Sequence, residues 1–194
     1  MLKPNQIPII EFRKSWIYNI QWSRSKKWRK PPATMVWNKR ERQLRRLWTK
    51  HGSAVLRTMS KITGLPWRED RIIVYLTWGV RPFSDPLTIS LRPDVMSVFE
   101  TMTHELIHRL LSSEKNWSKI KPGWMLFVKS YPRETSVAIN HVPIHAVHEM
   151  IWGKLFPSRV TTIKTDLKLK PYIRAWELVD RLGADKVVHQ IFHR

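Results

Sequence analysis

Two histidines and a glutamate form the pattern His-Glu-x-x-His at residues 104 to 108. Side chains four residues apart lie on the same face of an α-helix, so His104 and His108 could reach one metal ion. Glu105 is offset by one residue, which places its carboxylate beside such an ion rather than on it. A carboxylate in that position can accept a proton from a metal-bound water. The spacing therefore predicts a zinc site with two histidine ligands and Glu105 as general base.

The same pattern can arise by chance on a polar helix face, but the surrounding residues favour a buried helix. Two histidines and a glutamate are costly to bury unless something pairs with them, and a metal ion does so. Glu100, one turn before His104, could accept the second ring N–H of that histidine, or could be an ordinary solvent-facing charge. The apolar residues around this helix are Val95, Val98, Phe99, Met102, Leu106, Ile107, Leu110 and Leu111.

The motif resembles that of the zincin metallopeptidases, and the residues that follow it narrow the resemblance. The metzincin extension has Gly and His where this chain has Leu111 and Glu114, so that branch is excluded. The remaining resemblance is to the gluzincin and SprT-like layout, in which a later helix supplies the third zinc ligand. The densest set of ligand-type residues, three histidines and a glutamate, follows about thirty residues later at 141–149.

The resemblance implies that the third ligand lies in this later segment. In gluzincins the ligand is a Glu with an acid four residues later, and His145 and Glu149 have that spacing. A histidine in the ligand position is similar to SprT-like proteins. We therefore expect one zinc ion per chain, bound by His104, His108 and His145. His148, Glu149 and His141 are alternatives; an unused histidine, or Tyr131, could instead stabilise an oxyanion, and His141 could simply cap its helix.

A short strand precedes the motif helix at residues 87–91. Proline on both sides of it suits a position at the edge of a sheet. Zincins bind an extended peptide along an edge strand at this point of the chain. The resemblance therefore implies that a substrate strand pairs with this segment. The residues expected to contact it are Leu87, Thr88, Ile89 and Ser90.

Periodicity and breaker residues predict the elements that position these side chains. The fold class is α+β, with a small mixed or antiparallel sheet packed on the motif helix and on a second, ligand-bearing helix. Residues 114–133 are expected to be a loop, with a short strand at 124–128. Strands are predicted at 7–22, 71–80 and 87–91, and helices at 34–62, 94–113, 143–156 and 171–192, the last broken near Gly183.

Composition separates the first 70 residues from the rest. The chain has 194 residues, no Cys and a formal net charge of +20, which excludes disulfide scaffolds, thiolate metal sites and cysteine nucleophiles. We predict a basic, Trp-rich N-terminal arm and helix over 1–70 and a zincin-like core over 71–194. Trp16, Trp22 and Trp28 alternate with cations, so the arm could contact nucleic acid or an acidic partner, or could be an aromatic core segment.

The activity expected from these features is that of a zinc metalloendopeptidase acting on polypeptides. The rival interpretation is a nucleic-acid-binding protein with a structural or degenerate zinc site, which four protein ligands would close. No apolar stretch approaches the roughly 18 residues of a membrane helix, and the first residues lack the layout of a secretory signal. We therefore expect an intracellular, cytoplasmic protein without a membrane partner. The oligomeric state does not follow from the sequence.

Overall fold

The computed structural model describes residues 6–26, 33–160 and 169–193. This part of the chain is α+β, with a four-stranded mixed sheet and seven α-helices. The strands are β1 (Ile9–Lys14), β2 (Arg71–Thr77), β3 (Phe83–Ser84) and β4 (Leu87–Ser90). The helices are α1 (Trp16–Lys26), α2 (Thr34–Thr63), α3 (Val95–Ser112), α4 (Glu114–Lys129), α5 (Ser136–Leu155), α6 (Lys170–Leu182) and α7 (Ala184–Phe192).

The chain forms two compact units. The first comprises Met1–Ser53 and Trp67–Arg109, and the second comprises Ala54–Pro66 and Leu110–Arg194. The predicted domain boundary between residues 70 and 71 stays a prediction; β1, which precedes it, pairs along its whole length with β2, which follows it. Within the described part of the chain, none of the helices has the length and apolarity that crossing a bilayer requires.

The sheet of the first unit has the strand order β1-β2-β4-β3. β1, β2 and β4 are parallel, and β3 is antiparallel to β4. Alternate residues of β2 are fully buried, as expected of a strand with one face on a core: Ile72, Val74 and Leu76 are each 0% exposed. At the start of the β1–β2 pair, Arg71 donates a hydrogen bond of 2.5 Å to Glu11.

Aromatic packing joins the sheet of this unit to its helices. The Trp48 ring of α2 lies 6.3 Å from the ring of Phe12 in β1 and 5.9 Å from that of Phe99 in α3, measured between centroids. The Arg45 guanidinium lies over the Phe12 ring and also donates to the Phe12 carbonyl at 3.0 Å. These contacts fix the N-terminal half of α2 and the first turns of α3 against β1.

The second unit is helical, and α5 is its centre. Eleven residues of α5 are buried, and this helix packs against both α6 and α7. Pro143 lies inside α5, which begins about two turns earlier at Ser136. There the Thr135 hydroxyl accepts a hydrogen bond from the Ala138 amide at 3.2 Å. Gly123 of α4 lies so close to α7 that an added Cβ would be 2.6 Å from the Ile191 carbonyl oxygen.

The structure confirms several predicted elements and corrects others. The helices predicted at 34–62 and 171–192 are present as α2 and as the pair α6 and α7, and the predicted strand at 71–80 is present as the shorter β2. The strand predicted at 7–22 is wrong beyond Lys14, because Ser15 begins a helix: its side chain accepts from the Tyr18 amide and its carbonyl from the Asn19 amide.

The prediction of a loop over 114–133 is also wrong, because most of this segment is α4. The helix buries Asn116, Ile120, Gly123 and Phe127, which follow one another at helical intervals of four, three and four residues. Pro122 and Gly123 favour a loop in the sequence, yet Pro122 is exposed and Gly123 permits close packing against α7.

The predicted edge position of the strand before the motif helix is wrong. This strand, β4, lies inside the sheet between β2 and β3. β3 pairs with Leu87 and Thr88, while Ile89 and Ser90 pair with β2 on the other side. On this side of β4, Leu87 and Thr88 are therefore already paired with β3 and do not offer a free edge to a substrate strand. Trp28, predicted as part of the basic arm, lies outside the described residues, as do the side chains of residues 22–26.

Candidate metal centre

Helix α3 carries the His-Glu-x-x-His residues and is held at both ends. At its start, one carboxylate oxygen of Asp94 accepts hydrogen bonds from the amides of Met96 and Ser97, at 3.0 and 3.1 Å. Such a cap satisfies amide groups that the first turn leaves without helical partners. The core-facing residues of α3 are almost fully buried, so its polar residues have a defined orientation: Val98, Phe99, Met102, Leu106, Ile107 and Leu110.

Near the other end of α3, Arg109 connects the helix to the segment before β2 and to the end of β3 in the same unit. Its Nε and Nη2 atoms donate to the two carboxylate oxygens of Glu69, at 2.7 and 2.6 Å. Its Nη1 atom donates to the Ser84 carbonyl at 2.8 Å and to the Asp85 carboxylate at 3.1 Å. Because Arg109 directly follows His108, this network restrains the turn that presents His108.

The two motif histidines already have the separation that a shared ion requires. Their Nε2 atoms are 3.2 Å apart, and the ring centroids are 4.9 Å apart. Two nitrogens bound to one tetrahedral zinc at about 2.05 Å would be about 3.3 Å apart. The pair therefore fits a zinc ion with both Nε2 atoms as ligands, without a change of backbone.

Glu105, which directly follows His104 in the sequence, is buried. Only 9% of the residue is exposed, and burial raises the pKa of its carboxyl to about 7 from the ordinary 4.5. Removing a carboxylate from water disfavours its charged form, which accounts for the direction of this change. A bound cation nearby would act in the opposite direction and favour the carboxylate. Such a group can both accept and return a proton near neutral pH.

His141 of α5 is prepared to bind a metal through one defined nitrogen. Its Nδ1 atom lies 2.8 Å from the Val137 carbonyl oxygen. A carbonyl can only accept, so Nδ1 carries the proton and Nε2 carries the lone pair that a metal ion requires. Burial lowers the pKa of His141, with the Val137 hydrogen bond acting in the opposite direction, so the neutral ring is favoured. The Tyr172 ring packs against it at 4.3 Å.

These three histidines form the candidate centre. One ring nitrogen from each of His104, His108 and His141 lies within 4.8 Å of the other two. Among the residues that the structure describes, no other set of histidine and carboxylate side chains meets this separation. Three nitrogen ligands and one open position would suit a catalytic zinc ion.

The choice of His145 as third ligand stays a prediction, and the group of three described above contains His141 in its place. His145 is 1% exposed, and its ring stacks on Trp176 with centroids 4.3 Å apart and planes 13° apart. His148 is also buried, with its ring edge-on to Trp152 at 4.6 Å, and burial lowers its pKa to about 3. Both histidines thus belong to the aromatic packing of α5.

The remaining predicted residues lie on elements of either unit. Glu100 is half-buried on α3, and its hydrogen bond to His104 stays a prediction. Glu149 is half-buried on α5, one residue after His148. Tyr131 follows α4 and packs against Phe127 with ring centroids 4.9 Å apart. Its role in stabilising an oxyanion stays a prediction.

Sequence reasoning missed two residues beside the centre, Arg109 and Tyr172. Arg109 had a local signal, because a cation that follows a ligand inside a buried helix needs a partner. Tyr172 had none, because it contacts His141 from a separate helix.

No family model, no curated protein and no solved structure matches this chain.

Proposed function

We propose that this protein is a zinc-dependent peptidase whose metal ligands are His104, His108 and His141. The observation that carries the proposal is the grouping of these three histidines, together with the position of Glu105 directly after His104. Two ligands four residues apart on one helix, with an adjacent buried carboxylate, form the arrangement that metal-dependent hydrolysis of amides requires.

In this proposal the chain holds the ion through neutral imidazoles in a fixed tautomer. His141 supports it best, because its Nδ1 proton is engaged by the Val137 carbonyl. His104 and His108 support it through the 3.2 Å separation of their Nε2 atoms. When bound, zinc supplies Lewis-acid activation of a water molecule and of the substrate carbonyl.

Glu105 is the proposed proton carrier. Its carboxylate removes a proton from the attacking water while the new C–O bond forms at the peptide carbonyl carbon. The same carboxyl then delivers a proton to the amide nitrogen as the C–N bond breaks, which releases a carboxylic acid and an amine. Burial raises the pKa of Glu105, which favours the protonated form that delivers the proton, whereas a bound cation would favour the carboxylate that accepts it.

The finer architecture proposed is zincin-like, with α3 as the motif helix and α5 as the later ligand helix. This proposal differs from the expectation for gluzincins and SprT-like proteins in the position of the third ligand, one turn earlier than His145. His145 and His148 are then packing residues, because they lie within the buried aromatic cluster of α5.

Zinc content of purified variants tests the ligand assignment. The parent protein should bind one zinc ion per chain by native mass spectrometry, and His141→Ala should lose it. The His145→Ala variant should retain it. The exposed His189 of α7 provides the matched control, because His189→Ala removes an imidazole without approaching the centre.

The catalytic assignment is tested with Glu105→Gln, which keeps the shape of the side chain and removes its basicity. We expect this variant to bind zinc as the parent does and to cleave an unstructured polypeptide at least about 100-fold more slowly. Zinc retained by His141→Ala would contradict the ligand set. Zinc lost equally from His141→Ala and His145→Ala would indicate a closed structural site, and with it the rival interpretation as a binding protein.

A further inference from the structure

One face of α2 is a continuous row of cations, which we call the α2 stripe. At a rotation of about 100° per residue, the six side chains of the stripe fall within about 100° of arc around the helix axis. All six cations of the stripe are exposed, and the position between Lys50 and Arg57 is the exposed Ser53. The α2 stripe consists of Lys39, Arg42, Arg46, Lys50, Arg57 and Lys61.

The other faces of α2 keep the stripe turned to solvent. Leu44, Val55 and Met59 are each 0% exposed on the side opposite the stripe. A helix anchored in this way by its apolar side presents its cations without needing any rearrangement. The stripe is therefore a fixed surface rather than a flexible tail.

The positive charge of the stripe is not neutralised within the described residues. Glu41 is the one acidic residue of α2, and it points away from the stripe. Its carboxylate pairs with Lys14 at 2.9 Å and with Arg45 at 2.8 Å. Among the described residues, the ion pairs of the protein include none of the six stripe cations.

The dimensions of the stripe match a nucleic-acid duplex. From Lys39 to Lys61 the helix rises about 33 Å, which is close to one turn of B-form DNA at about 34 Å. We propose that the α2 stripe binds the phosphate backbone of double-stranded nucleic acid without reading its sequence. This proposal does not depend on the peptidase activity.

The composition of the stripe favours a duplex over single-stranded nucleic acid and over an anionic lipid surface. Proteins that bind single strands place aromatic rings among their cations for base stacking, and the stripe has none. Helices that bind lipid surfaces bury an apolar face in the membrane, whereas the apolar face of α2 is already buried in the protein. A row of cations alone favours phosphate contacts.

Salt dependence of duplex binding tests the proposal quantitatively. For the full-length protein and a fluorescent 30-base-pair duplex, six phosphate contacts predict a slope of log K against log salt of about −5. A variant with Lys39, Arg42, Arg46 and Lys50 changed to Gln removes four contacts, so the slope should fall to about −2. We expect affinity at 0.1 M salt to fall about 1,000-fold.

A matched control removes the same charge elsewhere. The exposed Lys115, Lys121, Lys129 and Lys186, changed to Gln, lower the net charge equally and should leave the slope near that of the parent. Equal losses in both variants would overturn the proposal in favour of diffuse attraction. Tighter binding of a 30-nucleotide single strand, or equal competition by poly-L-glutamate at the same charge concentration, would overturn the duplex as partner. Normal circular dichroism of both variants establishes that they are folded.

Discussion

Replacing Arg109 with Ala should destabilise the protein substantially, because this guanidinium connects three separate backbone segments. It makes two hydrogen bonds with Glu69, one with the Ser84 carbonyl and one with Asp85. The Arg109 side chain is 18% exposed and that of Glu69 is 37% exposed. Buried pairs lose about 3–5 kcal/mol when one partner is removed, and exposed pairs lose at most about 1 kcal/mol, so this intermediate pair should lose about 2 kcal/mol.

The measurement is urea unfolding followed by far-ultraviolet circular dichroism, with Arg13→Ala as control. Arg13 pairs with Glu11 at 2.6 Å, but its side chain is 50% exposed and its partner is only two residues away. Arg13→Ala should therefore cost less than about 1 kcal/mol. A double-mutant cycle of Arg109→Ala with Glu69→Gln should give a coupling free energy of about 1–2 kcal/mol.

Two results would refute this reasoning about Arg109. The first is a loss of stability no larger than that of Arg13→Ala, which would mean that the network restrains nothing. The second is a coupling free energy near zero, which would assign the loss to the packing of the Arg109 side chain and its bonds with Ser84 and Asp85 rather than to its bonds with Glu69.

Three further predictions concern the second unit. Gly123→Ala should lower the free energy of unfolding by about 1–3 kcal/mol through overpacking, because the new methyl group would lie 2.6 Å from the Ile191 carbonyl oxygen. Gly153→Ala has nothing within 4 Å of the new methyl group and should raise the free energy of unfolding by about 0.5–1 kcal/mol. Thermal unfolding compares the two variants, and equal effects would contradict the packing. Thr135→Ala should cost about 1 kcal/mol in urea unfolding through loss of the α5 cap, and Thr135→Ser should restore it. Burial lowers the pKa of His148 to about 3 in the folded protein, from 6.5 in the unfolded chain. As the pH falls below 6.5, His148 therefore gains a proton in the unfolded chain while it stays neutral in the folded protein. Stability should therefore fall by about 2 kcal/mol between pH 8 and pH 5, and a His148→Leu variant that falls as steeply would contradict this origin.

The sequence was sufficient where local chemistry determines structure. The α3 helix could be predicted from Asp94, which caps it, and from apolar residues that cover several of its sides. The proximity of His104 and His108 follows from helical geometry alone, since residues four apart share a face. These features need no information about the rest of the chain.

Features that depend on distant contacts could not be predicted in the same way. The α4 helix contains Pro122 and Gly123, and only its packing against α7 explains why a glycine is needed there. The surroundings of His141 and His145 depend on α6, because Trp176 stacks on His145 and Tyr172 packs on His141. Their spacing along α5 is equally compatible with either histidine as ligand.

The prediction that β4 lies at the edge of the sheet was wrong for a related reason. Prolines at both ends of the strand are compatible with an edge, but the two-residue β3 is too short to leave a pattern in the sequence. A strand of that length is stabilised by its neighbour rather than by its own composition. Sheet order therefore could not be derived from the separate strands.

The parallel pairing of β1 with β2 has a consequence for synthesis of the chain on the ribosome. β1 ends at Lys14, and its partner is complete only when Thr77 has been added. At about 5–20 residues per second, β1 waits about 3–13 seconds after it is made before its hydrogen-bonding edge can be covered. During that interval Ile9, Ile10 and Phe12 have no partner strand. Expression yield should therefore respond to translation speed between codons 15 and 77 more than to speed beyond them.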